Sequence, residues 1–330
     1  MIPCNSNPEH PPQWKKIYAS AFVGAKDLFN IMPSLELSQQ ELQRIDEQFP
    51  IHISRLLINQ LEQDHPALLQ YVPNVNELSN PDGYKNDPVG DIEASLRPGL
   101  IKKYKHRVLL ITSNTCPIHC RYCFRKNFPY SKSSPNSHLF RESLQLINDD
   151  LSINEVILSG GDPLSLEDDM LEYLFKSIEK INHIKTIRIH TKFPSIYPER
   201  ITSQFLEILS NCNINKVCVF HINHPDEISN DFCDAVEKIK KTNTTTLNQS
   251  VLLKNVNNNP NILISLSRKL FDAGILPYYL HELDHAKGTH HFLVSSQEAQ
   301  NIMTVMKASL PGYLVPKLAR EIPGSASKLF

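Results

Sequence analysis

The sequence predicts an α/β fold, a partial (β/α)6 barrel of parallel strands preceded by an N-terminal helical segment. Two observations predict it. From about residue 100, short β-rich runs alternate with helical stretches, which favours parallel strands joined by right-handed crossovers. The chain has 330 residues, of which 41% are hydrophobic, so a sizeable core is expected. Six such units are fewer than the eight of a closed barrel.

The chain divides into an N-terminal helical segment with its connector, residues 1–95, and the barrel, residues 96–330. Two stretches in the first part, 14–32 and 38–69, carry apolar residues at helical spacing, and no strand is evident there. The stretch 76–99 is rich in Asn, Asp, Pro and Gly. It is expected to be a loop-rich connector, and it contains the run DPVGD.

The six predicted strands are VLLIT (108–112), EVILSG (155–160), TIRIHT (186–191), KVCVFHI (216–222), LNQSVLL (247–253) and LPYYLHEL (276–283). Residues capable of chemistry lie at or just after their ends: Cys116, Gly160–Asp162, His190, His221, Gln249 and Asp284. Ligands of parallel α/β proteins bind at the carboxyl ends of the strands. We therefore predict a site there, although any single polar residue can simply mark the end of a strand.

Charge and hydropathy restrict the partners. Lys plus Arg number 34 against 35 for Asp plus Glu, a net charge of -1, which provides no bulk attraction to nucleic acid or an anionic membrane. No apolar run approaches the roughly 18–20 residues that span a bilayer. The polar, proline-rich start of the chain lacks the pattern of a secretory signal. We expect a soluble, cytoplasmic protein with a small-molecule or protein partner.

The sharpest motif is CPIHCRYC, in which Cys116, Cys120 and Cys123 have C-x3-C-x2-C spacing directly after the first predicted strand. Three thiolates on one short loop can hold three irons of a [4Fe–4S] cluster and leave the fourth iron open. The alternative is a structural zinc completed by His119 or His106. The other cysteines are scattered and are expected to be structural thiols: Cys4, Cys212, Cys218 and Cys233.

With a tyrosine before its last cysteine, this motif resembles that of the radical S-adenosylmethionine enzymes. Further segments narrow the resemblance: CRYCFR (120–125), SGGDPL (159–164), FHINHP (220–225), QSVLL (249–253), PYYLHELD (277–284) and GYLVPKLAREI (312–322). Together they are similar to the lysine 2,3-aminomutase family, and most similar to its branch that serves elongation factor P. The similarity extends over nearly the whole chain.

The resemblance implies a [4Fe–4S] cluster on the three cysteines, with S-adenosylmethionine bound to the open iron. It also implies that Gly160, Gly161 and Asp162 meet the methionyl amino group of S-adenosylmethionine. Glycines allow backbone to approach closely, and Asp162 would accept a hydrogen bond from the ammonium. On its own, a Gly-Gly-Asp-Pro run is a common structural turn.

Pyridoxal phosphate is the further cofactor that the resemblance implies. Lys328 matches the lysine that binds it as a Schiff base, although GSAS replaces the glycine run that often precedes this lysine. Tyr104 matches a residue near the pyridoxal ring, and Lys103 and Arg107 match cations near its phosphate. Without the resemblance, these residues would be interpreted as solvated charges at an exposed edge. Three more positions match residues around the two cofactors: His221, Ser229 and Gln249.

For the substrate, the resemblance implies L-lysine held by opposite charges at its two ends. Arg125 matches the arginine that binds the carboxylate, for which a planar guanidinium is suited. Asp284 and Glu321 match the two acids that receive the ε-ammonium. Free-lysine aminomutases typically carry Asp at the position of Glu321, so the longer side chain is consistent with a different substrate pose. Both acids could otherwise be surface carboxylates.

The hypothesis is a 1,2-amino shift that converts L-lysine to (R)-β-lysine, which a partner ligase then attaches to elongation factor P. A reductant protein such as flavodoxin or ferredoxin would supply electrons, and a homo-oligomer is compatible with the resemblance. No cysteine follows Cys233, so the zinc site of longer relatives is not expected. Two alternatives remain: a conventional lysine or, less well supported, glutamate 2,3-aminomutase, and a non-enzymatic module that binds zinc or a cluster.

Overall fold

The computed structural model describes residues 12–62, 64–130 and 137–330, and Cys4 lies outside them. The strands of this part of the chain are β1 (Phe22–Val23), β2 (Ile53–Ser54), β3 (Ser95–Arg97), β4 (Leu100–Tyr104), β5 (Arg107–Ser113), β6 (Glu155–Gly160), β7 (Thr186–Thr191), β8 (Asn215–Phe220), β9 (Thr244–Val251), β10 (Leu276–His281) and β11 (Lys317–Ala319).

One large sheet of nine strands organises the described molecule, in the spatial order β11-β10-β9-β8-β7-β6-β5-β4-β3. The six predicted strands correspond to β5 to β10, which pair in parallel with their sequence neighbours. The predicted α/β fold class and its partial barrel are therefore confirmed. The structure adds β11, parallel to β10, and the antiparallel strands β3 and β4 beside β5.

The two ends of this sheet curl toward each other. Lys103 and Tyr104 on β4 contact Glu321, which follows β11 by two residues. Side chains thus bridge the gap between the edges of the partial barrel. The carboxyl ends of the parallel strands face a cavity enclosed by this curvature.

The helices of the described residues are α1 (Gln13–Ala21), α2 (Ala25–Ile31), α3 (Gln39–Gln48), α4 (Arg55–Gln60), α5 (Pro66–Leu69), α6 (Ser137–Asp149), α7 (Asp168–Glu179), α8 (Phe193–Ile196), α9 (Ser203–Asn211), α10 (Asn230–Lys240), α11 (Pro260–Asp272) and α12 (Ser296–Ser309). In α7 the buried side chains are spaced at i, i+3, i+4 and i+7, and they pack into the main core: Leu171, Leu174, Phe175 and Ile178. Because this helical spacing is visible in the sequence, the helices that connect the parallel strands could be predicted from it. No helix in the described ranges has the length and apolarity needed to cross a membrane.

The N-terminal part was expected to have no strands, and this expectation is wrong. The strands β1 and β2 pair antiparallel in a separate two-stranded sheet, with Phe22 opposite Ser54 and Val23 opposite Ile53. Each strand has only two residues, so it carries no alternating pattern. The pairing depends on contacts between residues some thirty positions apart, which local sequence does not reveal.

Candidate active site

The cavity at the carboxyl ends of the strands gathers most of the residues that the sequence singled out. Fifteen of the sixteen line it: Lys103, Tyr104, Arg107, Cys116, Cys120, Cys123, Arg125, Gly160, Gly161, Asp162, His221, Gln249, Asp284, Glu321 and Lys328. Ser229 does not. Its hydroxyl accepts the Phe232 N–H and caps the start of α10, a structural role that serine commonly has.

The three cysteines lie on the loop after β5, and their thiols are free. Burial raises the pKa of all three, that of Cys120 to about 11. In the absence of a metal these thiols are therefore protonated at neutral pH. Metal binding would release their protons.

These sulfur atoms are spaced more widely than ligands of a single zinc ion. A tetrahedral zinc, with Zn–S bonds of about 2.3 Å, holds its sulfur ligands about 3.8 Å apart. Within the described residues, the cysteine trio does not bring its three sulfurs within 4.8 Å of one another. In the zinc alternative only Nε2 of each histidine would remain as a ligand, since Nδ1 of His119 lies 2.7 Å from the Pro50 carbonyl and Nδ1 of His106 lies 2.8 Å from the Ser152 carbonyl.

A buried ion pair fixes the cysteine loop to the N-terminal segment. Arg121 is fully buried and donates to both carboxylate oxygens of Glu77, with the shortest contact at 2.7 Å. Its Nη1 also donates to the carbonyls of Phe49 and Pro50. Lys126 donates to the same carboxylate at 3.1 Å. Arg121, which lies between Cys120 and Cys123, thus anchors the cysteine loop.

The two glycines at the end of β6 permit contact between two stretches of backbone. A Cβ on Gly161 would lie 2.4 Å from the Thr115 carbonyl oxygen, and one on Gly160 would lie 2.5 Å from that of Ser113. Gly160 also has a φ of +125°, which side-chain-bearing residues rarely adopt. The backbone at the end of β6 therefore packs directly against the segment just before Cys116.

Asp162 has its hydrogen-bonding capacity used within the protein. Its buried carboxylate accepts the Thr191 hydroxyl and the backbone N–H groups of Leu164, Lys192 and Phe193. These donors fill the acceptor positions of a carboxylate. These bonds join the ends of β6 and β7, and the contact of Asp162 with a ligand ammonium stays a prediction.

Neutral imidazoles line the floor of the cavity. Burial lowers the pKa of His221 and of His281 to about 3, and it also lowers that of His190 well below its ordinary value. Nε2 of His221 lies 2.8 Å from the Gln249 amide nitrogen. These side chains offer polar contacts without adding charge at neutral pH.

Alternating charges surround Lys328. Its ammonium pairs with Glu321, which also accepts the Tyr104 hydroxyl at 2.7 Å and lies 3.4 Å from the Lys103 ammonium. Burial raises the pKa of Glu321, but Lys328 and Lys103 more than offset this effect, so its pKa lies below the ordinary value. Asp284 differs, because burial raises its pKa to about 7. Glu321 is thus ionised at neutral pH, whereas Asp284 titrates near neutrality.

Arg125 belongs to the same charge network and is held by a residue that the sequence did not single out. Nε of Arg125 donates to Asp91 at 2.7 Å, and Nη1 lies 3.3 Å from the Ser159 hydroxyl. Asp91 also pairs with Lys103 at 2.6 Å and is almost completely buried. It belongs to DPVGD, which the sequence marked only as part of a connector.

Arg107 is a cation without a nearby acidic partner. Its guanidinium stacks over the Tyr104 ring at 4.5 Å, and none of the described carboxylates lies within 4.0 Å of it. Arg188, another cation of the cavity wall, is instead bound by both oxygens of Glu155. Arg107 therefore retains the capacity to bind an added anion such as a phosphate.

Comparisons with known proteins identify the relatives of this chain. A family model described as the radical SAM superfamily matches residues 110–262. The L-lysine 2,3-aminomutase of Buchnera aphidicola is 38% identical, over 97% of this chain and 96% of that protein. The L-lysine 2,3-aminomutase of Escherichia coli is 41% identical, over 85% of this chain and 82% of that protein. That of Clostridium subterminale is 30% identical over 84% of this chain, which aligns with 67% of the longer protein.

Proposed function

Because the chain belongs to the lysine 2,3-aminomutase family of radical S-adenosylmethionine enzymes, and is thus an isomerase that moves an amino group, we propose that it converts L-lysine to (R)-β-lysine with the aid of pyridoxal phosphate. One observation carries the proposal. A lysine, an arginine and two acids share a single cavity with the cysteine trio: Lys328, Arg125, Asp284 and Glu321.

The residues present fit a cluster and pyridoxal phosphate. When bound, the cluster and S-adenosylmethionine supply hydrogen-atom abstraction, and pyridoxal phosphate supplies a π-system that stabilises the migrating nitrogen. Cys116, Cys120 and Cys123 would hold the cluster. Lys328 would hold pyridoxal phosphate, and Arg107 has a guanidinium available for its phosphate. The chain's own task is to position these groups and to exclude water.

Charge favours lysine over glutamate as the substrate. Arg125 suits a carboxylate, whereas Asp284 and Glu321 in the same cavity suit an ammonium. A glutamate side chain would place a third negative charge beside these two acids. The cost of like charges in a poorly solvated cavity opposes that arrangement.

The proposal extends to partners. A flavodoxin or ferredoxin would deliver the electron, and the β-lysine product would be attached to elongation factor P by a separate ligase. Support for these partners is the sequence resemblance to the branch that serves elongation factor P. A homo-oligomer is compatible with the proposal.

The decisive experiment is an anaerobic assay of the reconstituted protein with dithionite, S-adenosylmethionine, pyridoxal phosphate and L-lysine. Chiral chromatography resolves the two β-lysine enantiomers. We expect (R)-β-lysine from the wild type. We expect no product from Cys120→Ala or Lys328→Ala, and near-normal product from Cys212→Ala, a buried cysteine outside the cavity.

The outcomes separate the alternatives. Formation of (S)-β-lysine, or turnover of glutamate, would replace the proposed product or substrate while the family assignment stands. Cleavage of S-adenosylmethionine without any β-amino acid would refute the substrate assignment. Bound zinc without acid-labile sulfide, together with indifference to Lys328→Ala, would indicate a binding module instead of an enzyme.

A further inference from the structure

The DPVGD run forms a loop that directs one carboxylate into the cavity. The Asp87 carboxylate accepts the backbone N–H groups of Asp91 at 2.9 Å and Ile92 at 2.8 Å. Gly90 turns the chain with a φ of +70°, and a Cβ there would lie 3.2 Å from Pro323. The loop is thus held by the Asp87 side chain and by the packing of Gly90 against Pro323. Such local bonds from Asp side chains to backbone N–H groups stabilise turns.

Within this loop, Asp91 has a carboxylate divided between two cations. Oδ2 accepts the Arg125 Nε–H at 2.7 Å, and Oδ1 lies 2.6 Å from the Lys103 ammonium. Asp91 is 1% exposed, so solvent does not screen these contacts. Burial raises the pKa of Asp91, but Arg125 and Lys103 more than offset this, and the group is ionised at neutral pH.

We propose that Asp91 is a positioning residue, which fixes the guanidinium of Arg125 so that its remaining N–H groups face the carboxylate of the substrate. The inference rests on the proposed function, in which Arg125 binds that carboxylate. Asp91 occupies Nε and Ser159 contacts Nη1, so the plane of the guanidinium is determined by two protein contacts. Among the described residues, no further acceptor engages Nη2 or the second N–H of Nη1, which remain for a ligand.

An amide in place of this carboxylate would not perform the task. The side chain of Asn has the same shape, but it has one acceptor oxygen for two cationic donors. Lys103 has Glu321 as an alternative partner at 3.4 Å, whereas Arg125 would be left, among the described residues, with two neutral acceptors, the amide oxygen introduced by Asp91→Asn and the Ser159 hydroxyl. The ion pair that holds Arg125 would be lost, and its side chain would be free to leave its binding orientation.

The test compares two ligands of the reconstituted holoenzyme. L-lysine carries a carboxylate, whereas 1,5-diaminopentane keeps both amino groups and lacks one. For Asp91→Asn we expect the KM for L-lysine to rise by about 10-fold or more, the loss typical of one charge-assisted hydrogen bond. The Ki of 1,5-diaminopentane should stay unchanged. Asp91→Glu should recover part of the loss because the charge returns.

A double-mutant cycle then shows whether Asp91 acts through Arg125. In the Arg125→Gln background, Asp91→Asn should cause no further rise in KM. The matched control is Asp150→Asn, which removes the carboxylate paired with Lys102 outside the cavity and should leave KM unchanged. Iron content and circular dichroism of each variant show that the fold and the cluster are retained.

Three results would overturn the inference. If Asp91→Asn weakens the binding of L-lysine and of 1,5-diaminopentane equally, Asp91 merely supports the fold. The same conclusion follows if Asp91→Asn and Asp91→Glu both lose iron. Additive losses in the cycle would mean that Asp91 acts independently of Arg125. In each of these cases the wild type still forms β-lysine, which distinguishes the outcome from failure of the proposed function. A wild type that forms no β-lysine overturns both.

Discussion

The Glu77 carboxylate offers a direct test of how the cysteine loop is held. Glu77 and Arg121 are 1% and 0% exposed, and Glu77 also accepts a bond from Lys126. Glu77→Gln keeps the size of the side chain and removes its charge. Two buried cations, on Arg121 and Lys126, then lose their only close carboxylate among the described residues.

The expected destabilisation follows from this burial. Removing one partner of a buried pair leaves an uncompensated charge, which typically costs about 3–5 kcal/mol. Arg121 retains the carbonyls of Phe49 and Pro50, so the lower end of this range is expected. The matched control is Glu142→Gln, which removes a carboxylate from an exposed pair with Arg97 and should change stability far less.

The pair also predicts how stability depends on pH. Burial raises the pKa of Glu77, but Arg121 and Lys126 more than offset this effect, so the folded pKa lies below the ordinary value. Such a carboxylate contributes stability above its unfolded pKa of about 4.3, and the contribution is lost as pH falls through the folded pKa. Glu77→Gln should therefore flatten the acid side of the stability profile.

The measurement is urea unfolding of cluster-free protein, with thiols reduced, followed by circular dichroism at pH 7. Iron retained after reconstitution and desalting is the second readout, because the same pair holds the loop that carries the cysteines. A free energy of unfolding within about 1 kcal/mol of the wild type would refute the reasoning. So would equal losses in Glu77→Gln and the Glu142→Gln control.

Two further predictions concern the cavity. Since burial raises the pKa of Asp284 to about 7, its ionised fraction increases about 10-fold from pH 6 to pH 8, and affinity for L-lysine, measured by equilibrium binding, should rise accordingly. This slope should vanish in Asp284→Asn, and a slope that persists there would assign the titration to another group. Gly161→Ala would force a Cβ to 2.4 Å from the Thr115 carbonyl, so iron retention after reconstitution and the thermal midpoint should both fall. Gly312→Ala meets open space and is the control, and equal midpoints for the two variants would contradict the close approach.

Local sequence patterns were sufficient for the centre of the barrel. The strands β5 to β10 are continuous apolar or alternating runs, and helices such as α7 have apolar residues at helical spacing. Each pattern follows from the burial of the element itself, on both faces for β6 and on one face for α7. The cysteine motif is equally local, with three ligands inside eight residues. Fold class and family could therefore be recognised from residues close together in the chain.

The short strands near the edges of the sheet could not be recognised from local sequence patterns. The strands β3 and β11 have three residues each and join the sheet only because β4 and β10 present free edges. A run of three residues has too few positions to show a period of two. Their existence depends on the curvature of the whole sheet, which is a long-range property.

The same distinction applies inside the cavity. Residue types identified Lys328 and Arg125 as candidates for chemistry, but which acid meets which cation depends on segments far apart in sequence. Asp91 reaches Arg125 across 34 residues, and Glu77 reaches Arg121 across 44. A buried charge is stable only when the folded chain brings its partner into contact, so the composition of the connector was uninformative until the tertiary contacts specified these pairs.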